Sequence, residues 1–285
     1  MFIASRIGLL VLCAAMCAQC AVANRTASNE FEKLVDIGGR RLFIKCSGEA
    51  RKGTPVVVMD AGMGNASEVW NVVQPKVVEF ARVCSYDRAG LGKSDRATRK
   101  HTSADMVNDL HNLLTNAGIT PPYVLVGHSF GGMNARLYAS KYPNEVVGMV
   151  LVDSTHEDEN DRMIALLPPE IKKNTKPEDM TIRTAENLDF NTSTGQVRAA
   201  NWRGDIPLIV LTRGSATFNP NDYAVPSLAP KFEEIRLELQ KELVGRSSKG
   251  KQIIAEKSGH YIHRDQPDLV VQAIRQVMQE ESPKL

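Results

Sequence analysis

A serine flanked by glycines, in the pentapeptide Gly127–Gly131 (GHSFG), is the residue pattern most suggestive of chemistry. An apolar run, Tyr123–Val126, precedes it, and a helix-compatible stretch, Gly132–Ala139, follows it. This is the G-x-S-x-G pattern in a strand–turn–helix context, where a sharp turn exposes the hydroxyl and glycines avoid clashes with neighbouring backbone. The start of the following helix favours developing negative charge. The pattern therefore predicts that Ser129 is a nucleophile rather than an incidental turn residue.

A serine hydroxyl needs a base before it can act as a nucleophile near neutral pH. Of the six histidines, His260 is the best candidate because it follows a predicted strand, Gln252–Ala255, and comes directly after Gly259. The glycine permits a tight turn that directs the imidazole across the edge of the sheet. His263 is a weaker candidate, and His128 is expected to support the turn by packing. The remaining histidines are expected on the surface: His101, His111 and His156.

Attack by Ser129 on a carbonyl also requires backbone N–H groups that point at the developing oxyanion. The amide of Phe130, directly after the serine, is one predicted donor. The other is expected from the glycine-containing loop Asp60–Gly64 (DAGMG), with Met63 as the best placed residue. The alternative for this loop is an ordinary strand-to-helix turn. Together, these residues predict an oxyanion hole formed by Phe130 and Met63.

The composition agrees with a soluble enzyme and excludes several other classes. The chain has 285 residues, of which 42% are hydrophobic and 24% are charged, enough for one large α/β domain. A formal net charge of +2 gives no reason to expect nucleic acid or an anionic membrane surface as a partner. Histidines and cysteines do not cluster at metal-ligand spacing, so no metal or organic cofactor is implied. Nothing in the sequence indicates the oligomeric state.

The first 23 residues are predicted to be a signal peptide. Arg6 precedes a short apolar run, Ile7–Met16, and Ala21–Ala23 forms an A-x-A cleavage site. The expected mature protein is periplasmic or extracellular and has no integral membrane anchor, the alternative being an uncleaved N-terminal anchor. Outside this segment only Cys46 and Cys84 remain, either as a disulfide or as two buried thiols.

Strand and helix patterns alternate along residues 24–285, and they predict an α/β fold. An early hairpin followed by alternating strands and helices predicts a doubly wound, mostly parallel eight-stranded sheet with helices on both faces. The segment at about 154–206 interrupts the alternation and is expected to form a short cap insertion. The predicted strands are Phe31–Ile37, Arg40–Cys46, Pro55–Met59, Val83–Tyr86, Tyr123–Val126, Val147–Val152, Leu208–Leu211 and Gln252–Ala255. The predicted helices are Glu68–Phe80, Ser103–Ala117, Gly131–Lys141, Phe232–Leu243 and Asp268–Gln279.

Several motifs in this order resemble the α/β-hydrolase fold family, from about Val35 to the last helix. Besides GHSFG, Tyr86–Ser94 (YDRAGLGKS) is similar to the family's D-x-R-G-x-G-x-S turn. Gly259–Pro267 (GHYIHRDQP) is similar to its histidine loop. The oxyanion loop departs from the family pattern, since Asp60–Met63 (DAGM) stands where many members have His-Gly-x. The resemblance implies a serine hydrolase with a Ser-His-acid triad.

The resemblance offers two positions for the acid that orients His260. Most members place it after the seventh strand, where Asp222 is available, and some place it at the end of the sixth strand, where Asp153 lies. An acid closing an apolar strand is costly to bury without a partner, which favours Asp153 and leaves Asp222 as the alternative. The family's strand order also places the second and fourth strands side by side, so Cys46 and Cys84 would be close enough for a disulfide.

Taken together, the residues and the resemblance predict a secreted serine hydrolase that cleaves carboxylic esters through an acyl-enzyme. A small-molecule ester or related acyl compound is the expected substrate. The rival enzymes on the same triad are an aminopeptidase, a lactonase or an acyltransferase. A non-catalytic relative that binds a ligand or partner is the other alternative, although such relatives usually lack the nucleophile or the base, and this chain has both.

Overall fold

The computed structural model describes residues 30–176, 185–202, 204–214, 219–222 and 225–281, without the side chains of Asp222 and Glu281. The predicted signal peptide lies outside the described residues. The described residues form one eight-stranded sheet. Its strands are β1 (Phe31–Asp36), β2 (Arg41–Ser47), β3 (Val56–Asp60), β4 (Val83–Tyr86), β5 (Tyr123–His128), β6 (Val146–Val152), β7 (Leu208–Arg213) and β8 (Gly250–Ala255).

The order of the strands across the sheet is β1-β2-β4-β3-β5-β6-β7-β8. The pairs β1–β2 and β2–β4 are antiparallel, and every other pair is parallel. Strands β3 and β5 are buried along their whole length, as expected where helices cover both faces of a parallel sheet. Separate apolar clusters fill the two faces. The predicted doubly wound, mostly parallel fold is confirmed.

Helices flank the sheet and connect its strands. They are α1 (Gln74–Val77), α2 (Ser103–Ala117), α3 (Phe130–Lys141), α4 (Glu159–Ala165), α5 (Pro169–Lys172), α6 (Phe190–Arg198), α7 (Ala229–Gly245), α8 (Ile262–Asp265) and α9 (Pro267–Glu281), with 3-10 turns at Ser67–Trp70, Pro220–Asp222 and Pro226–Leu228. Within the described part of the chain, no helix combines the length and the apolar character needed to cross a membrane.

One predicted helix is wrong. The sequence pattern suggested a single helix over 68–80, but the structure has a 3-10 turn at Ser67–Trp70 and then the short helix α1. Pro75 lies at the start of α1 and has no N–H group with which to bond the carbonyl of Asn71. The helix therefore restarts at the proline instead of continuing through it.

The segment between β6 and β7, residues 154–206, is called the cap segment below. Its described part contains α4, α5 and α6. Phe190 and Val197 of α6 pack on Met106, Phe130 and Met133, so the cap segment covers the start of α3. Met163 and Ile164 of α4 pack against Phe232 of α7. The cap segment thus packs on the body of the domain at two places, the start of α3 and α7.

Candidate active site

Ser129 occupies a strained turn between β5 and α3. Its φ of 52° and ψ of −120° lie outside the regions that non-glycine residues usually adopt. The turn is possible because backbone passes very close to the flanking glycines. A Cβ on Gly127 would lie 2.5 Å from the carbonyl oxygen of Gly131, and one on Gly131 would overlap the carbonyl oxygen of Asp60. The glycines on either side of Ser129 are therefore required by packing, and strain of this kind is typical of functional sites.

Three of the residues singled out from the sequence follow parallel strands at the same edge of the sheet. Ser129 comes directly after β5, Asp153 directly after β6, and His260 a few residues after β8. Because parallel strands end at a common edge, residues far apart in the chain meet there. The fold therefore brings Ser129, Asp153 and His260 to one site.

His260 and Asp153 are joined by a hydrogen bond of 2.7 Å between Nδ1 and Oδ2. The Asp153 side chain is only 3% exposed, whereas that of His260 is 36% exposed. Burial alone would raise the pKa of Asp153, but the hydrogen bond to His260 and the nearby guanidinium of Arg236 outweigh it and lower the pKa to about 2. Asp153 is thus ionised and can only accept, so Nδ1 of His260 carries the proton and Nε2 is left to act as a base.

The second oxygen of Asp153 is bound by neighbouring elements. Its Oδ1 accepts hydrogen bonds from Nη1 of Arg236 at 3.0 Å and from the backbone N–H of Arg213 at 3.1 Å. Arg236 lies on α7 and also bonds Glu233, at 2.8 Å from Nη2 to Oε2. These contacts fix the rotamer of Asp153 and compensate its buried charge.

The alternative acid, Asp222, ends the 3-10 turn Pro220–Asp222, and its side chain lies outside the described residues. The contact with His260 in the structure is made by Asp153. Asp153 itself has a φ of 41°, which is uncommon for a residue other than glycine. Ser129 after β5 and Asp153 after β6 are therefore two strained residues that follow neighbouring strands.

A cavity of about 240 Å³ opens between the cap segment and the sheet edge. Ser129, His260 and Thr155 line it together with Glu159, Arg213 and Gln240. Ser129 Oγ lies 3.4 Å from Thr155 Oγ1, and among the described contacts it is paired with Thr155 and not with His260. Contacts between nucleophile and base are often long in structures without substrate and tighten when substrate binds.

The predicted oxyanion donors, the amides of Phe130 and Met63, both belong to the described residues. The backbone N–H groups of Phe130 and Met63 have no acceptor among the described residues. The loop that carries Met63 passes directly beside the nucleophile, because a Cβ on Gly62 would lie 3.3 Å from Cβ of Ser129. Unpaired amides next to a serine are suited to bind an oxyanion.

The buried guanidinium of Arg88 holds the loop that carries Met63. It donates to the carbonyl oxygens of Ala61 and Gly62 at 2.6 and 2.7 Å, and to Asp60 at 2.5 Å. Its Nε donates to Glu186 of the cap segment at 2.6 Å. Burial alone would lower the pKa of Arg88, but the two carboxylates outweigh it and raise the pKa, so the side chain stays charged.

The other histidines do not all lie where the sequence suggested. His128 donates from Nε2 to the carbonyl oxygen of His260 at 2.9 Å, so it supports the loop that carries the base. His263 is fully buried against Trp70 and His128, and burial lowers its pKa to about 3. The prediction that His101 and His156 lie on the surface is wrong, because both are buried beside arginines that are distant in sequence: Arg40 and Arg246.

Cys46 and Cys84 form a disulfide in the structure. They are directly paired residues of the neighbouring strands β2 and β4, with a Cα–Cα distance of 4.1 Å. Both side chains are fully buried, and their strands lie near the end of the sheet opposite β8. The disulfide therefore lies apart from the residues around Ser129.

Comparisons with known proteins agree with this architecture. A profile of the alpha/beta hydrolase fold family matches residues 54–273. The Bacillus subtilis protein YqjL, whose function is uncharacterized, is 31% identical over 232 residues, covering 80% of this chain and 85% of that protein.

Solved structures show the same fold at low sequence identity. An esterase from Thermogutta terrifontis superposes with a TM-score of 0.60 at 18% identity, covering 88% of this chain and 98% of that structure. An enol-lactonase from Burkholderia xenovorans superposes with a TM-score of 0.59 at 16% identity, covering 87% and 99%. The profile match over most of the sequence shows that this chain belongs to the α/β-hydrolase fold family.

Proposed function

We propose that this protein is a serine hydrolase that cleaves carboxylic esters, with Ser129 as nucleophile, His260 as base and Asp153 as the orienting acid. The observation that supports this most directly is the 2.7 Å contact between His260 Nδ1 and Asp153 Oδ2, beside a cavity that Ser129 also lines. The contact sets the tautomer that leaves Nε2 of His260 able to accept a proton.

The proposed reaction begins when Ser129 Oγ turns from Thr155 to His260 and attacks the ester carbonyl carbon. His260 Nε2 takes the hydroxyl proton, and the oxyanion binds the N–H groups of Phe130 and Met63. The carbon–oxygen bond to the alcohol then breaks, and His260 returns the proton to the leaving oxygen. Water attacks the acyl-enzyme by the same sequence of proton transfers and releases the acid.

Three other enzyme activities could use the same residues. An aminopeptidase would release an amine, a lactonase would open a cyclic ester, and an acyltransferase would pass the acyl group to an alcohol in place of water. A panel of matched esters, amides and lactones, with and without an added alcohol, separates these activities by their products. A non-catalytic binding protein would process none of them.

The test of the nucleophile is labelling by a fluorophosphonate probe. The wild-type protein is expected to be labelled and to hydrolyse p-nitrophenyl acetate or butyrate. Ser129→Ala should lose the label and lower kcat by roughly three orders of magnitude or more. Equal labelling of both proteins would refute the assignment of Ser129, and absence of both labelling and hydrolysis in the wild type would favour the non-catalytic alternative.

We also propose that the protein is exported and acts in the periplasm or outside the cell. Residues 1–23 have the pattern of a cleaved signal peptide, and disulfides such as Cys46–Cys84 persist in oxidising compartments. Cell fractionation followed by N-terminal sequencing tests this. A mature chain that begins at Asn24 is expected, and an intact N-terminus in the cytoplasmic fraction would overturn it.

A further inference from the structure

Glu159 is a carboxylate that lines the catalytic cavity without a cationic partner. It is the first residue of α4, and it shares the cavity with Ser129 and His260. Within the described part of the chain, its side chain accepts one hydrogen bond, a long one of 3.4 Å from the backbone N–H of His156. Among the described residues it makes no ion pair. An ionised, half-buried carboxylate that is left unpaired beside a nucleophile is unfavourable unless it takes up a proton or binds a cation.

The two arginines that line the same cavity are engaged by other carboxylates. Arg236 bonds Asp153 at 3.0 Å and Glu233 at 2.8 Å. Arg213 pairs with Glu233, and its Nη1 lies 4.0 Å from Asp153. This group and Glu159 therefore contain three carboxylates and two guanidinium groups, which leaves one formal negative charge when His260 is neutral. Among these described groups, the carboxylate that neither guanidinium pairs with is Glu159.

The charges around Glu159 favour a cation next to it. Burial raises the pKa of Glu159, and the nearby negative charge of Asp153 raises it further. The hydrogen bond from the backbone N–H of His156 lowers the pKa, as do the charges of His260 and Arg236. These effects do not cancel the rise. A positive charge in the cavity would remove the imbalance, and a charge-assisted hydrogen bond to a carboxylate is among the stronger polar contacts in proteins.

We infer that Glu159 binds a protonated amino group on the substrate, so that the preferred substrates are esters of amino-bearing acids or amino alcohols. This inference rests on the proposed serine hydrolase function and adds the chemical class of the substrate. The small cavity and the polar character of every described residue that lines it also disfavour a long alkyl group at this position. Glu159 would position the substrate and would take no part in proton transfer.

A purely structural role for Glu159 makes a different prediction. An acidic residue in the first turn stabilises a helix through its dipole, and Glu159 would then matter only for the stability of α4. Asp161 supplies a matched control because it lies in the same turn of α4, but it is exposed and paired with Arg198. Replacing Asp161 removes a helix-start carboxylate without changing the cavity.

The experiment compares three methyl esters of propionic acid that differ only in the group at carbon 2: the esters of alanine, lactate and isobutyrate. They carry an ammonium, a hydroxyl or a methyl group at the same carbon. The ratio of kcat/KM for the alanine ester to that for the isobutyrate ester is measured at pH 6.5, where the amine is protonated. This ratio should fall about tenfold or more in Glu159→Gln relative to wild type, and Asp161→Asn should keep the wild-type ratio. Intrinsic ester reactivity cancels because each protein is tested on the same pair.

Two further readouts extend the test. One covers substrates with the amine on the alcohol part of the ester, and the other covers substrates that turn over slowly. The ester 2-aminoethyl acetate is compared with n-propyl acetate in the same way. Alaninamide and isobutyramide are tested for protection of Ser129 against a fluorophosphonate. An amine preference that survives Glu159→Gln, or no amine preference in any readout, would overturn the inference. A loss confined to the lactate ester would also overturn it and assign a hydroxyl instead. Absence of labelling and hydrolysis in the wild type would instead refute the proposed function itself.

Discussion

Arg88 and Glu186 form a buried ion pair that connects the cap segment to the loop beside Ser129. Nε of Arg88 donates to Oε2 of Glu186 at 2.6 Å, and both side chains are at most 2% exposed. Oε1 of Glu186 accepts the backbone N–H of Gly64 at 2.6 Å. One carboxylate therefore bonds both the arginine that holds the loop and the loop itself, directly after Met63.

The first prediction concerns this carboxylate as a positioning group. Glu186→Ala should lower kcat about tenfold or more while KM changes little, because the Met63 amide would no longer be held where the oxyanion forms. Affinity for a boronic acid that mimics the tetrahedral intermediate should fall in parallel with kcat/KM. Glu186→Gln keeps the shape and one acceptor, and should recover part of the loss.

The control for Glu186 is Glu170→Gln, which changes an exposed carboxylate on α5 of the cap segment. It should leave kcat and inhibitor affinity as they are in the wild type. A Glu186→Ala protein with a lower melting temperature but unchanged kcat and boronic acid affinity would show that the residue serves stability alone.

The second prediction separates the two candidate acids. Asp153→Asn should reduce kcat about a hundredfold or more, because an amide cannot stabilise the imidazolium of His260 or enforce its tautomer. Asp222→Asn should change kcat much less. Steady-state kinetics on one ester decides between them, provided that both variants are fully folded at the assay temperature. The reverse ranking would assign the role to Asp222.

The third prediction concerns stability in acid. The pKa of Asp153 is lowered to about 2 in the folded protein, and an unfolded aspartate titrates near 3.8. Its ionised form therefore contributes to stability above roughly pH 4, on the order of 2 kcal/mol, and the contribution disappears as the pH falls towards about 2. Urea unfolding of wild type and Asp153→Asn between pH 2 and pH 6 measures it. A stability difference that did not shrink on acidification would contradict this account.

The fourth prediction concerns the disulfide. Peptide mapping without reductant should recover Cys46 joined to Cys84. Replacing both with alanine should lower the free energy of unfolding by about 2–4 kcal/mol, because the bond restricts the unfolded chain. The ester-hydrolysis rate should hardly change, since the bond lies apart from the site. Quantitative alkylation of both thiols in the unreduced protein would exclude the bond.

Local sequence patterns were sufficient to single out Ser129 and His260, the proposed nucleophile and base. Ser129 was predictable because its turn needs glycines at fixed spacing, and His260 because a glycine precedes it after the last strand. The eight strands were predictable as well, since buried parallel strands are runs of apolar, β-branched residues. In each case the structural requirement falls within a few consecutive residues.

The remaining contacts of the site depend on residues that are far apart in sequence. Glu186 is separated from Arg88 by 98 positions, and Arg236 from Asp153 by 83. A glutamate in a polar segment and an arginine on an amphipathic helix have no local pattern that distinguishes them from surface residues. Only the packed fold shows that they meet, and the same holds for Glu159.

Placing the acid directly after β6 has a consequence for the loop that follows β7. With Asp153 in that role, β7 contributes no acid, and its last residue, Arg213, bonds Asp153 through its main-chain N–H and places its guanidinium 4.0 Å away. A main-chain donor can be supplied by almost any amino acid, so sequence changes beyond Arg213 need not preserve a carboxylate. Evolution or protein engineering could therefore lengthen, shorten or exchange that loop without replacing the proposed catalytic acid.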